Sequence, residues 1–260
     1  ETITREVGHG EGCGLRIRYS WEPILLGTAG GPRQALPLLG SRFFIINGDT
    51  LTDLSLRELA EHHEQMQTQV TLAVTPHPKP ERYGGVEIDD AGRVLQFSRA
   101  GVDSLRHFIG VQLAEATAFA AVPAGQPAAS IGGIYEDLIA ERAAAVGAVT
   151  VNAPFRDVGT PSDYLATTLA VAEAEKLLSP GVGVDTSIHP SAKLTRTAVW
   201  DRVVIGAHCQ LKECIVTDDV ILPDGVTLKR HVCITAKHLS KPLTGTRLGN
   251  AVVRPLEPAL

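Results

Sequence analysis

Through its first two-thirds the chain switches between apolar runs of strand length and apolar residues at helical spacing. Leu15-Arg16-Ile17-Arg18-Tyr19 alternates apolar and polar, as a half-buried strand does. A helix is predicted near Thr28, with Pro32 in its first turn, where a missing N–H costs little. Residues 42–47, centred on Phe43-Phe44-Ile45-Ile46, read as a buried strand. Ser55 and Glu58 fit a capping box that opens a helix with Leu56, Leu59, Ala60 and His63 on one face. Strands follow at 70–75, 85–88, 94–98 and 108–113, with Pro76-His77-Pro78-Lys79-Pro80 as a loop and Asp89-Asp90-Ala91-Gly92 as a tight turn. A helix over 135–145, a strand over 149–152 and an Ala/Leu-rich helix over 161–178 complete this part. The alternation predicts an α/β fold, a mostly parallel sheet with helices on both faces.

After Ser179-Pro180-Gly181 the rhythm changes to six residues. Apolar positions recur at Ile188, Leu194, Trp200, Leu211, Ile215, Ile221 and Val226, separated by small or turn residues such as Pro190-Ser191-Ala192 and Pro223-Asp224-Gly225. This is the hexapeptide signature of a parallel β-helix. About three coils fit between Ser187 and Thr235. Such a short stack is expected to need the first domain or another subunit to cover its ends. The expected domains are therefore 1–178 and 179–260, the latter a β-helix over about 187–235 plus an irregular tail.

Composition narrows the classes. The chain has 260 residues, 44% hydrophobic and 20% charged, enough for a full core. With 29 acidic and 24 basic residues the net charge is −5 and no basic stripe stands out, so nucleic acid is not an expected partner. No apolar run is long enough to span a bilayer, and no signal peptide is visible; a cytoplasmic location is expected. Cys13, Cys209, Cys214 and Cys233 form no C-x-x-C pair, so free buried thiols are expected rather than a zinc site or a disulfide framework.

Two aspartates sit in near-identical settings. Asp49 follows the apolar run ending at Ile46, and Asp157 lies in Phe155-Arg156-Asp157-Val158-Gly159-Thr160-Pro161. Each is a carboxylate at the C-terminal end of a short strand, the edge where open α/β sheets bind ligands. Together they offer hard oxygen ligands suited to Mg²⁺; singly, each also fits a helix or turn cap. Leu26-Gly27-Thr28-Ala29-Gly30 joins a loop to a helix start, where small residues allow close backbone approach and free N–H groups suit an anion.

In order, the chain carries Tyr19-Ser20-Trp21-Glu22, Leu26–Gly30, Asn47-Gly48-Asp49-Thr50-Leu51-Thr52-Asp53, Tyr83-Gly84-Gly85-Val86, Phe108-Ile109-Gly110-Val111 and Asp157-Val158-Gly159-Thr160-Pro161-Ser162-Asp163-Tyr164. This succession resembles the sugar-1-phosphate nucleotidylyltransferases, especially the branch with mannose-1-phosphate guanylyltransferases, over residues 1–178; the hexapeptide extension fits that branch. The resemblance implies a Rossmann-like nucleotidyltransferase domain followed by a short left-handed parallel β-helix. It implies Mg²⁺-dependent transfer of a nucleotidyl group from an NTP to a sugar 1-phosphate, giving pyrophosphate and an NDP-sugar of GDP-mannose type, as a polysaccharide precursor. Asp49 and Asp157 take the catalytic, metal-holding positions. Leu26, Gly27, Thr28, Ala29 and Gly48 fall on the nucleotide side, and Gly84, Gly85, Ile109 and Gly110 on the sugar side. A homo-oligomer or a partner contact through the β-helix is expected.

Two departures qualify the resemblance. The family's first strand, Gly-rich Arg loop and Pro-Lys-Pro segment, which clamp the triphosphate, have no counterpart before Tyr19. Gly245-Thr246-Arg247-Leu248 matches part of that clamp but lies beyond the β-helix and reads as coincidence. At Phe97-Ser98-Arg99-Ala100-Gly101, Arg99 and Ala100 stand where the family often has Glu-Lys. The rival reading is a truncated or non-catalytic homologue acting as a regulatory or scaffold subunit. A hexapeptide acyltransferase using His208 or His231 is a third. Lys79 and Arg82 are either a solvated pair or phosphate ligands.

Overall fold

The computed structural model describes residues 2–77, 84–99, 105–177, 181–235, 237 and 244–256. Lys79, Arg82, Tyr83, Ala100 and Gly101 lie outside the described residues. The chain divides into two compact units, Glu1–Phe155 and Arg156–Leu260.

The first unit runs α1 (Thr2–Val7), α2 (Gly27–Ala35), β1 (Arg42–Ile46), β2 (Thr50–Thr52), α3 (Leu56–Met66), β3 (Val70–Pro76), β4 (Gly85–Ile88), β5 (Val94–Ser98), β6 (Arg106–Glu115), α4 (Tyr135–Glu141) and β7 (Val146–Thr150); β8 (Phe155–Asp157) straddles the boundary. Six strands form one sheet, in the order β5-β4-β6-β3-β7, with β1 also on β6. β6 runs antiparallel to β1, β3 and β4, while β7 is parallel to β3 and β5 antiparallel to β4. Thus β1, β3, β4 and β7 share one direction, and only β5 and β6 oppose it. The sheet is mostly parallel in strand direction, yet most of its ladders are antiparallel because β6 is inserted among the others.

Side-chain alternation on the central strands supplies both faces. Val70, Leu72 and Val74 of β3 join Ala29, Phe119 and Tyr135 in one core. Ala73 of β3 and Ile109, Val111 and Leu113 of β6 join Leu59 of α3 in the other. Helices therefore cover both faces, as expected. The predicted capping box forms in part: Ser55 Oγ accepts from the Glu58 N–H at 3.3 Å. On the inner side of α3, His63 is fully buried. Its Nδ1 lies 2.7 Å from Thr71 Oγ1 and its Nε2 3.3 Å from Glu115 Oε1. Glu115 also accepts from Arg42 Nε at 2.7 Å, and Arg42 donates to Glu64 at 2.8 Å. Burial pushes the His63 imidazole below its usual pKa. Desolvation works to raise Glu115, but the bonds from Arg42 and His63 outweigh it and hold that carboxyl below its usual range.

Local differences from expectation have physical causes. Residues 15–19 are not a strand: Leu15 is 64% exposed and no ladder reaches the segment among the described residues, so its alternation has no sheet to join. Pro32 sits inside α2 rather than in its first turn, because the helix begins at Gly27. α4 ends at Glu141, and β7 begins at Val146 rather than 149.

The second unit begins with α5 (Pro161–Ala174), capped by Thr160, whose Oγ1 accepts from the Asp163 N–H at 3.1 Å while donating to Asp163 Oδ2 at 2.7 Å. Three stacks of short parallel strands follow. The first holds β9 (Ser187–Ile188), β12 (Val204–Ile205) and β15 (Ile221–Leu222); the second β10 (Lys193–Thr195), β13 (Gln210–Lys212) and β16 (Thr227–Lys229); the third β11 (Ala198–Val199), β14 (Ile215–Val216) and β17 (His231–Thr235). Every register step is 17 residues: Lys193 to Gln210 to Thr227, and Ala198 to Ile215 to Val232.

The coil is therefore one residue short of three hexapeptides. The shortening falls at the corner between second and third stacks, where Arg196, Glu213 and Arg230 all take left-handed φ of 49° to 56°. It corrects the phase expected from a strict six-residue rhythm. Val199 and Leu222, not Trp200 and Ile221, point into the coil's core. Ala198 and Ile215 face outward instead, buried beneath Leu165 of α5 and Leu256. α5 thus packs with the coil, whereas the sequence boundary at 178 assigned it to the first domain.

The tail, expected to be irregular, carries a hairpin of β18 (Thr246–Leu248) and β19 (Ala251–Pro255). β19 pairs antiparallel with β17, and Ala251 and Val253 enter the coil's core. That exposed edge of the stack is closed by the chain itself. Gly245-Thr246-Arg247-Leu248 belongs to this cap. Cys209, Cys214 and Cys233 are buried free thiols, whereas Cys13 is exposed, against the expectation of burial. Burial pushes the Cys233 thiol up to about 12.

Candidate functional site

Asp49 stands in a tight turn at the C-terminal end of β1, closed by the Thr50 N–H donating to the Asn47 carbonyl at 3.2 Å. Asp49 and Gly48 are exposed, and a side chain at Gly48 would meet open space. What fixes the turn is β6. Between the pairs Leu72↔Gln112 and Val74↔Phe108, two steps along β3 face four along β6, so β6 bulges at residues 109–111. Gly110, at φ 78°, is the apex.

The bulge docks onto the turn from below. The Asn47 N–H donates to the Gly110 carbonyl at 2.8 Å, and Thr50 Oγ1 donates to the Ile109 carbonyl at 3.0 Å. A Cβ on Gly110 would lie 2.6 Å from Thr50 Oγ1 and 2.8 Å from Asn47 Nδ2. Glycine is thus required twice here, for its φ and for the contact. The structure brings Gly48, Asp49, Ile109 and Gly110 together. Ile109 contributes only backbone, since its side chain is 1% exposed within the core shared with Leu59.

The Leu26–Gly30 loop is organised differently from the sequence expectation. Leu26 and Ala29 are buried, whereas Gly27 and Thr28 are exposed. The Ala29 and Gly30 N–H groups donate to the Ala128 carbonyl at 2.9 and 3.3 Å, and the Ala128 N–H donates to the Leu26 carbonyl at 2.9 Å. Glu22 Oε2 accepts from the Leu26 N–H at 2.8 Å. Thr28 Oγ1 accepts from the Ser130 N–H at 2.8 Å and lies 3.0 Å from Ser130 Oγ. So Ala29 and Gly30 are not open donors at the helix start. Sequence reasoning missed the 128–130 segment because its partner lies about a hundred residues away; only its small residues, Ala128-Ala129-Ser130, marked it.

Gly84 and Gly85 owe their identity to packing. A Cβ on Gly84 would lie 2.7 Å from the Ser98 carbonyl oxygen, and one on Gly85 would lie 2.5 Å from Leu105 Cβ. The Gly84 carbonyl lies 3.1 Å from His77 Nε2. The His77, His107 and Phe155 rings then follow at centroid spacings of 5.2 and 5.3 Å.

Asp157 belongs to the second unit, at the end of β8 and just before α5. A Cβ on Gly159 would lie 3.1 Å from its Oδ1, a tight contact that the carboxylate could relieve by a small shift. Among the described residues no group of three or more His, Cys, Asp or Glu is placed to hold a metal. His62 and His63 diverge, one exposed and one buried. In the coil, His189 and His208 rings are 6.5 Å apart and His231 Nδ1 lies 2.8 Å from the Lys229 carbonyl, so His208 and His231 serve separate corners.

Residues 1–99 match the nucleotidyl transferase family model. A mannose-1-phosphate guanylyltransferase of Mycobacterium tuberculosis is 26% identical over 236 residues, 80% of this chain and 66% of that protein. The chain is similar to the sugar-1-phosphate nucleotidyltransferases.

A D-glycero-alpha-D-manno-heptose 1-phosphate guanylyltransferase of Aneurinibacillus thermoaerophilus is 39% identical over 92 residues, 35% of this chain and 40% of that protein. Among solved structures, HddC from Yersinia pseudotuberculosis, complexed with GMP-PN, superposes with a TM-score of 0.54 at 21% identity, covering 64% of this chain and 71% of HddC. That likeness concerns the fold. The chain spans from 40% to 66% of the length of these two curated relatives. Among the described residues no helix is long and apolar enough to cross a membrane.

Proposed function

We propose that this protein transfers a nucleotidyl group from an NTP to a sugar 1-phosphate, releasing pyrophosphate, with mannose 1-phosphate and GTP as the preferred pair. The observation that carries this reading is the docking of the Asn47–Thr50 turn on the Ile109–Gly110 bulge. It sets a carboxylate, exposed and rigidly seated, at the strand end where α/β sheets bind ligands. The matched guanylyltransferases supply the choice of base and sugar.

The attacking group is a phosphate oxygen, already ionised at neutral pH, so no protein base is needed. The chain's task is alignment and charge neutralisation. Carboxylates are hard oxygen donors, the ligand type Mg²⁺ takes alongside substrate phosphates; on the family resemblance, Asp49 and Asp157 are assigned as its ligands. Bound there, Mg²⁺ would screen the phosphate charges. Asn47 and Thr50 keep the Asp49 backbone fixed through their bonds to β6. Gly27 and Thr28, exposed on the loop that Ala128 and Ser130 brace, present the nucleotide-facing surface. Gly84, Gly85 and the Gly110 backbone face the sugar. The β-helix is assigned the left-handed form on the family resemblance.

The test is a matrix of NTPs against sugar 1-phosphates, read by Mg²⁺-dependent pyrophosphate release. GTP with mannose 1-phosphate should give the highest rate. Absence of pyrophosphate release from every pair would reject the enzymatic reading and leave the non-catalytic one.

A further inference from the structure

The β18–β19 hairpin does more than close the coil. Its Gly249-Asn250 turn is fastened to the edge of β15: Asn250 Oδ1 accepts from the Ile221 N–H at 2.7 Å, and Nδ2 donates to the Asp219 carbonyl at 2.7 Å. Gly249, at φ 59°, passes so close to the Ile221 carbonyl that no side chain fits there. On the neighbouring corner Arg202 donates to Asp219 Oδ1 at 2.7 Å, with Asp218 at 3.7 Å and Asp201 at 4.0 Å. The corner and the hairpin border an open cleft of about 520 Å³, lined by Arg202, Asp219, Lys237 and Arg247 over Val204 and Ile221.

Its parts are chemically distinct. Val204 and Ile221 are outward residues of the first strand stack, 40% and 49% exposed, and give an apolar floor. Arg202 is matched by its aspartates. Lys237 and Arg247 have no hydrogen bond or ion pair among the described residues, in a chain whose net charge is −5. Two cations with no partner among the described residues, beside an apolar floor, suit a ligand with an anionic end and an organic body. The Arg fork and the Lys ammonium are the donors that phosphate oxygens take best. The volume lies within the range of small-molecule sites, about 300–1,000 Å³.

We propose that this cleft binds a small molecule carrying a diphosphate, with the phosphates against Lys237 and Arg247 and the organic body over Val204 and Ile221. None of its lining residues is among those assigned to nucleotidyl transfer, so the two sites stand or fall separately. The probes are ADP, pyrophosphate and adenosine, added to the whole chain in EDTA so that metal-dependent binding elsewhere is suppressed. Hydrogen exchange should slow in peptides spanning 246–255 with ADP, less with pyrophosphate and least with adenosine. By calorimetry, Lys237→Ala and Arg247→Gln should each weaken ADP about tenfold, the loss of one charge-assisted bond. Asp49→Ala should leave that binding unchanged. Both cations are exposed, so the variants should melt as the parent does. Absence of protection at 246–255 with both phosphate probes, undiminished ADP affinity in the double variant, or equal binding of adenosine and ADP would overturn the proposal.

Discussion

Gly110→Ala adds one methyl group and tests how the fold seats Asp49. The new Cβ would sit 2.6 Å from Thr50 Oγ1 and 2.9 Å from Asn47 Cγ, well inside van der Waals contact, at a φ of 78°. The left-handed backbone alone costs an alanine about 1–2 kcal/mol. Relieving the overlap pushes the turn away from β6 and breaks the Thr50–Ile109 bond, worth about 1 kcal/mol. The sum is about 2–3 kcal/mol of stability. A displacement of a few tenths of an ångström to 1 Å at Asp49 should lower turnover by roughly a hundredfold. Urea unfolding and pyrophosphate release measure the two effects on one preparation. Thr50→Val separates them: it deletes the bond without adding a clash, and should cost about 1 kcal/mol with a smaller loss of rate. A Gly110→Ala protein with parental stability and parental turnover would refute the claim that the bulge positions the turn.

Further tests address the rest of the molecule. Thr28→Val removes the acceptor for Ser130 N–H and should cost about 1–3 kcal/mol through that unsatisfied group, read as a lower urea midpoint. His63 has a folded pKa below its unfolded value, so below about pH 6.5 the unfolded chain binds the extra proton and stability falls as pH drops. His63→Gln should flatten the urea midpoint between pH 7.5 and 5.5, and an unchanged slope would reject this assignment. In native protein only Cys13 should react promptly with a thiol reagent; Cys209, Cys214 and Cys233 should react after denaturation. Leu211→Ala opens a cavity inside the coil and should cost about 2–5 kcal/mol, seen as a lower melting temperature of the second unit.

Sequence made much of this structure legible where local chemistry decided the outcome. The Ser55 cap, the Asp89–Gly92 turn, Pro161 at the first position of α5 and the apolar runs of β1, β3 and β6 are all set by neighbours in the chain. What sequence left hidden depends on distant pairing. Nothing near Gly110 announced that β6 would bulge, because the bulge is defined against β3 and used by the 47–50 turn. The Ala29 and Gly30 N–H groups looked open because their acceptor, Ala128, is remote in sequence. The hexapeptide rhythm identified the coil but lost phase after Leu194, since one five-residue corner per turn shifts Trp200 and Ile221 outward. The closing hairpin was missed because a polar segment with prolines resembles a loose end until its pairing with β17 is seen.

The central claim is that the chain moves a nucleotidyl group and that Asp49 serves that reaction through a metal. Steady-state pyrophosphate release from GTP and mannose 1-phosphate, measured for the parent and for Asp49→Asn across a Mg²⁺ titration, tests it most directly. Asn keeps the size of the exposed side chain and its fold, but removes the charge. The account predicts Mg²⁺-dependent release by the parent and a loss of about a hundredfold or more in the variant, with unchanged melting temperature. Turnover by Asp49→Asn within about twofold of the parent at every Mg²⁺ concentration, a difference of less than about 0.5 kcal/mol, would contradict it.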